Sequence, residues 1–253
     1  MKSSSLTSPG TPRDLPGKGV CSVSDAVVLP VYNEAGTVAA VLDAVRVVFD
    51  GVVIVVDDGS TDDTKQILGT RCDIVSICHI QNRGYGRSLV DGFEMAVEVG
   101  ATRVVTMDCD GQHEPMHIPA FLEALGDADI VSGSRYLGGS DTIGEVPPDR
   151  RAVNERVSAL INSVTGWGIT DAFCGFKAYR IEALEQLHLA VPGYAMPLEL
   201  WAHAWKAGLR VKELPVERIY FDGDRSFGED LDDPDKRLAY YVRVWKQALS
   251  EED

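Results

Sequence analysis

The sequence predicts a single α/β domain in which a mostly parallel sheet carries helices on both faces. Three observations support that expectation. From Asp25 onward, short apolar runs alternate with segments whose apolar residues recur at helical spacing, the pattern of repeated right-handed crossovers. Three of the apolar runs end in acidic or polar clusters, Tyr32-Asn33-Glu34, Asp57-Asp58-Gly59-Ser60 and Asp108-Cys109-Asp110, where open α/β sheets place their ligands. A chain of 253 residues suffices for one substantial core.

Residues 1–24 are rich in Ser, Thr, Pro and Gly and lack the apolar stretch of a secretory signal, so a flexible tail is expected there. Asp25 to Val31 is the first strand. Val38, Val41, Leu42, Val45, Val48 and Phe49 then fall at helical spacing. Val52 to Val56 is an unbroken β-branched run, a strand buried on both faces. Ser60 with Asp63 three residues later suggests a capping box on a short helix. Ile74 to Ile80 is the third strand, and the helix after Gly86 should bury Leu89, Phe93, Ala96 and Val97. Arg103 to Met107 is the fourth strand, followed by a helix from His117 to Leu125 and a short strand from Asp129 to Ser132. The later chain carries a Gly/Pro-bearing loop from Leu137 to Arg150, then helices over Arg151 to Val164 and Ala195 to Ala207. A strand-like stretch from Arg210 to Phe221 precedes a closing helix with Leu238, Tyr241, Val242 and Trp245 in register.

Composition narrows the function classes. With 45% hydrophobic and 25% charged residues the chain is an ordinary globule, and no window reaches the roughly 20 apolar residues of a membrane span. A net charge of −15 disfavours nucleic acid and general adhesion to anionic membranes, which need basic surface. Cys21, Cys72, Cys78, Cys109 and Cys174 are odd in number and form no C-x-x-C pair, which suits free thiols in the cytoplasm.

The segment Val104 to Gln112 carries the clearest chemistry. An apolar strand ends in two carboxylates one residue apart, Asp108 and Asp110, with the Gln112 amide two further on. Oxygen donors of this kind suit Mg²⁺ or Mn²⁺, with water and substrate phosphate completing the shell; an isolated D-x-D is also a common solvated turn. In a parallel sheet the three strand-end clusters converge on one cleft, where Glu34 or Asp58 could accept from a base or ribose and Pro30 and Tyr32 could pack on a flat ring. Asn82-Arg83-Gly84-Tyr85-Gly86-Arg87 precedes a helix and could approach phosphate, although it is not the dinucleotide fingerprint. His113-Glu114-Pro115-Met116-His117 spells the zinc-protease motif, but Pro115 breaks the continuous helix that motif requires. Arg135 follows a strand and Arg225 sits in a Gly-bearing loop, and each is a diphosphate grip, a surface charge or a structural ion pair. Asp171 to Lys177 places a carboxylate, a glycine and a cation among aromatics, as a site or as a packed turn.

Seven segments in order resemble the family 2 inverting glycosyltransferases of the GT-A fold, most closely the dolichol-phosphate mannose synthase group. They are Pro30-Val31-Tyr32-Asn33-Glu34, Val56-Asp57-Asp58-Gly59-Ser60, Asn82-Arg83-Gly84-Tyr85-Gly86, Met107-Asp108-Cys109-Asp110, Gly133-Ser134-Arg135-Tyr136, Asp171 with Gly175-Phe176-Lys177, and Arg225 with Gly228-Glu229. The resemblance implies a GT-A domain over residues 25–230, with a nucleotide-sugar-binding half (25–135) and an acceptor-side half (136–230); an acidic segment and helix (231–253) follow. It implies that Pro30, Tyr32, Glu34, Val56, Asp58 and Cys109 hold the nucleotide sugar, and that Asp108, Asp110 and Gln112 hold the metal. Arg135 and Arg225 would serve phosphates or sugar, and Asp171 would be the base should the acceptor be an alcohol. The implied reaction moves a sugar, mannose before others, from GDP-mannose or alternatively UDP-glucose to polyprenyl or dolichyl phosphate. Where that group continues Gly-Glu-Ser-Lys, this chain runs Gly228-Glu229-Asp230-Leu231, which leaves a soluble hydroxyl acceptor, or a non-catalytic nucleotide-sugar sensor, as alternatives. Some relatives carry a membrane anchor and others rely on a membrane partner subunit, so a cytoplasmic protein peripheral to a membrane is expected.

Overall fold

The computed structural model describes residues 25–138, 142–144, 147–219 and 229–251. The expected tail and Arg225 lie outside them. The first half runs β1 (Asp25–Val31), α1 (Val38–Val48), β2 (Val52–Asp57), α2 (Thr64–Gly69), β3 (Val75–Cys78), α3 (Tyr85–Glu98), β4 (Arg103–Thr106), α4 (Ile118–Ala124) and β5 (Ile130–Ser134). The second half runs β6 (Thr142–Ile143), α5 (Pro148–Thr165), β7 (Lys177–Arg180), α6 (Ile181–Leu184), α7 (Met196–Lys206), β8 (Val211–Pro215), β9 (Arg218–Ile219) and α8 (Pro234–Ser250). Seven strands form one sheet in the order β3-β2-β1-β4-β7-β5-β8, and β6 pairs with β9 in a small second sheet. Every neighbour pair in the large sheet is parallel except the two made by β7.

The unbroken apolar runs are explained by burial on both sides of the sheet. Ala26, Val28, Ile54, Val56 and Val104 point into a core shared with α3, α5, α7 and α8. Their neighbours Val27, Leu29, Val53, Val55 and Val105 point the other way, into a core shared with α1 and α4. Because strand side chains alternate between faces, a strand in this position must be apolar throughout. Each such side chain removed from water contributes about 1.5–3 kcal/mol.

Four local expectations change. The segment from Asp171 was expected to be a site or a turn, yet it leads into β7, an antiparallel strand wedged between β4 and β5. Val97 faces outward at 43% exposure, since α3 already starts at Tyr85 and its buried stripe runs through Leu89, Phe93 and Ala96. The capping box does not form: Ser60 Oγ instead accepts the Asn33 amide, and Asp63, at the N-cap of α2, makes no side-chain cap. The stretch from Arg210 divides into β8 and β9, which belong to different sheets.

The closing helix α8 packs into the α3-side core through Tyr241, Val244, Trp245 and Ala248. Part of the acidic run before it has a local purpose. Asp233 accepts from the backbone amides of Asp235 and Lys236 with Pro234 at the first helical position, the arrangement that satisfies orphan amides at a helix start.

Candidate functional site

Strands β1, β2 and β4 all end at one edge, and β1 lies between the other two, so their following loops border a common cleft as expected of a topological switch point. The β1 loop is stitched to the β2 loop. Asn33 sits at φ 57°, a left-handed conformation that Asn tolerates, and its side-chain oxygen accepts from the Thr61 amide at 2.8 Å. The Glu34 amide donates to Thr64 Oγ1 at 2.9 Å. Pro30, Tyr32, Glu34, Asp58, Cys109 and both D-x-D carboxylates line the resulting pocket.

Val56 does not. Alternation along β2 turns it into the α3-side core, fully buried, so it supports the pocket only from beneath. Cys109 is 2% exposed, and burial pushes its thiol far above the ordinary range.

Asp108 and Asp110 stand where this pocket meets a second one, because both line each. Asp108 Oδ1 accepts the Tyr85 hydroxyl at 3.0 Å, and the Asp108 amide donates to His113 Nδ1 at 3.0 Å. Asp110 Oδ1 accepts the Gln112 amide at 2.8 Å, in a turn closed by Gly111 at φ 75°. Among the described residues no three or more His, Cys, Asp or Glu group together as a ready metal cage. Two carboxylates and an amide at a pocket junction nevertheless fit a hard cation that takes its remaining ligands from water and substrate phosphate. His113 takes no such part, since its Nδ1 is occupied by backbone and its ring is buried edge-on to Phe176. Pro115 opens a short 3-10 turn before α4, and His117 pairs with Glu217 instead.

The second pocket is cationic and aromatic. Arg135, Arg150 and Arg237 line it together with Gln112, Tyr136, Phe173, Tyr194 and Tyr241. Asp171 does not line it. Its carboxylate is fully buried and clasped by Arg135, with Nε to Oδ2 at 2.7 Å and Nη2 to Oδ1 at 3.0 Å, and it also accepts the Arg135 and Phe173 amides. Burial opposes its ionisation most strongly of any single cause, but the charge and hydrogen bonds of Arg135, its amide and the Lys177 charge together hold the carboxyl below its ordinary value. A carboxylate so enclosed is placed to orient Arg135, not to take a proton from an acceptor. Arg237 is likewise held, donating to Asp149 at 2.8 Å and to the Leu231 carbonyl at 2.8 Å. Lys177 is buried away from the cleft, bonded to the Cys174 carbonyl with its ammonium 5.4 Å from the Trp201 ring.

Sequence reasoning missed Arg150, Arg237, Tyr85 and Tyr194. Tyr85 and Tyr194 stack at 5.8 Å between centroids and border both pockets. The stack depends on a close approach: a Cβ on Gly84, at φ 102°, would lie 2.4 Å from the Pro192 carbonyl oxygen. The glycines flanking Tyr85 were the available signal, since both let the backbone approach the loop before Tyr194.

Gly175 supports Asp108 in a similar way. A Cβ there would stand 2.4 Å from Asp108 Oδ2, so Gly175→Ala must displace the carboxylate. We expect the variant to remain folded in circular dichroism while its apparent Mn²⁺ affinity in the transfer assay falls about 10–100-fold, the usual effect of disturbing a ligand's support. Unchanged metal dependence would show that the carboxylate is not a ligand in that position.

Residues 26–188 match the profile of the family described as Glycosyl transferase family 2. An undecaprenyl-phosphate mannosyltransferase from Micrococcus luteus is 30% identical over 210 residues, covering 80% of this chain and 84% of that protein. A polyprenol monophosphomannose synthase from Mycolicibacterium smegmatis is 31% identical over 200 residues, 75% of each chain. Among solved structures, glucosyl-3-phosphoglycerate synthase from Mycobacterium tuberculosis, bound to Mn²⁺, UDP and phosphoglyceric acid, superposes with a TM-score of 0.67. It is 21% identical and covers 91% of this chain and 80% of its own. That likeness shows a shared GT-A fold.

Proposed function

Because the chain belongs to glycosyl transferase family 2, we propose that it transfers a sugar, mannose before others, from a nucleoside diphosphate sugar to polyprenyl phosphate. GDP-mannose is the preferred donor and UDP-glucose the alternative. The carrying observation is the composition of the second pocket: three guanidiniums and five aromatic rings beside the D-x-D pair, with Asp108 and Asp110 as its only carboxylates among the described residues. An anionic head on an apolar tail matches such a wall, and a phosphate acceptor is already a nucleophile that needs no base. A hydroxyl acceptor would need a carboxylate or histidine there.

In this reading Glu34 and Asp58 accept from the nucleoside, with Tyr32 and Pro30 beside it. Asp108, Asp110 and Gln112 would hold Mg²⁺ or Mn²⁺, which when bound supplies Lewis-acid stabilisation of the leaving diphosphate. Arg135, oriented by Asp171, and Arg150 hold the acceptor phosphate in line with the anomeric carbon, so that one displacement inverts it. Arg225, outside the described residues, is assigned to the phosphates by the family resemblance alone. Among the described residues no helix is long and apolar enough to cross a membrane. We propose that the protein meets its lipid-borne acceptor peripherally at the cytoplasmic face, alone or with a membrane partner subunit.

A donor panel of GDP- and UDP-sugars with Mn²⁺ or Mg²⁺, run with and without polyprenyl phosphate, tests this. Turnover that requires polyprenyl phosphate and is greatest with GDP-mannose is expected. Transfer to a soluble hydroxyl acceptor in its place would overturn the acceptor, and binding without turnover for every donor would overturn the enzyme.

A further inference from the structure

Behind the nucleoside-side pocket lies a buried imidazole. His79 follows β3 with its side chain 5% exposed, and its ring bridges two carboxylates. Nδ1 lies 2.6 Å from Asp58 Oδ1 and Nε2 lies 2.8 Å from Asp91 Oδ2. Both ring nitrogens are thus within hydrogen-bond distance of a carboxylate, so the imidazole links the two whichever nitrogen carries the proton. The His79 amide donates to the Asp57 carbonyl at 2.8 Å, which extends the β2–β3 ladder by one bond and fixes where the ring enters. On the far side Asp91, within α3, also takes Arg83 Nη1 at 3.2 Å and the Arg87 guanidinium. The imidazole is thus a strut between the pocket and a packed helix.

Asp58 is the end of that strut which faces the cleft. Its oxygens accept from the Arg83 amide at 2.8 Å and from the Gly84 amide at 2.8 Å, and Oδ1 lies 2.6 Å from His79 Nδ1. A carboxylate offers about four acceptor positions, so one remains for a group in the pocket. Three fixed contacts leave its direction little freedom.

We propose that His79, braced by Asp91, is a positioning residue for nucleoside recognition, holding Asp58 so that its remaining acceptor position meets a base N–H. This rests on the reading of that pocket as the nucleoside site. A strut of this kind acts on the base and leaves the diphosphate end of the cleft, at Asp108 and Asp110, untouched.

Calorimetric titration of GDP, UDP and inorganic pyrophosphate, each with Mn²⁺, into wild type, His79→Gln and Asp91→Asn provides the test. The nucleotide that wild type binds should lose about tenfold in affinity in both variants, as for one hydrogen bond to a charged group, while pyrophosphate affinity stays unchanged. Nucleotide affinity unaltered in both variants, or pyrophosphate affinity falling in parallel, overturns the role of His79. Should His79→Gln fail to fold, Asp91→Asn, which keeps the imidazole and withdraws the charge that braces it and holds Arg83 and Arg87, decides alone. A wild type that binds pyrophosphate but neither nucleotide overturns the nucleoside-site reading itself, a result distinct from any effect of the variants.

Discussion

Asp108→Asn is expected to lower turnover by about 10²–10³-fold, the effect of removing one preorganised electrostatic contact from a reacting centre, with little change in the fold. The substitution keeps the shape of the side chain and removes its charge. The side chain is 30% exposed and its ion-pair partner is the His113 ring at the long distance of 3.9 Å, so stability depends on it little. The amide can still meet the Tyr85 hydroxyl, which now holds Asp108 Oδ1 at 3.0 Å. Asp110 cannot substitute, because one of its oxygens is already committed to the Gln112 amide. Metal dependence should therefore weaken in parallel with kcat, while nucleotide binding measured without metal stays at its wild-type value. Turnover within tenfold of wild type, in a variant with an unaltered melting curve, would remove Asp108 from the site.

The parts of this molecule legible in its sequence are those whose burial is decided by the sheet itself. Strands β1, β2 and β4 are apolar on both faces because helices cover both faces, and their acidic ends meet because parallel strands share an edge. The illegible parts are made by contact between distant segments. Strand β7 opens with a lysine and spans only four residues; nothing in Lys177-Ala178-Tyr179-Arg180 alternates as a strand should, and only its place between β4 and β5 makes it one. The family resemblance put Val56 beside the nucleoside, yet strand alternation turns its side chain to the core. Arg150 and Arg237 come from α5 and α8, helices whose apolar stripes were visible while their docking partners were not. His79 is a single histidine after a strand, and its meaning arises only when α3 brings Asp91 to its other side.

Asp171→Asn is expected to cost about 3–5 kcal/mol of stability, the usual consequence of breaking a buried ion pair by removing one partner. For a chain of this size that lowers Tm by on the order of 10 °C. The Arg135 guanidinium would lose a partner that receives two of its N–H bonds, and with it the orientation that presents it to the second pocket. Turnover falls for that reason, with the rise in KM for polyprenyl phosphate exceeding the fall in kcat. The pH dependence separates this role from that of a base. The Asp171 carboxyl is held below its ordinary value against the opposing effect of burial, chiefly by Arg135. A depressed carboxylate contributes stability that is fully present above the unfolded value near about 4 and is lost as pH falls through the lower folded value. Wild type should thus lose stability to acid below about pH 4 more steeply than Asp171→Asn, which lacks that contribution throughout. A base would behave oppositely: its loss would leave Tm and the acid limb of stability in place and remove turnover with the acidic limb of the kcat profile. An Asp171→Asn protein that melts like wild type but does not turn over would therefore reinstate the base and, with it, a hydroxyl acceptor.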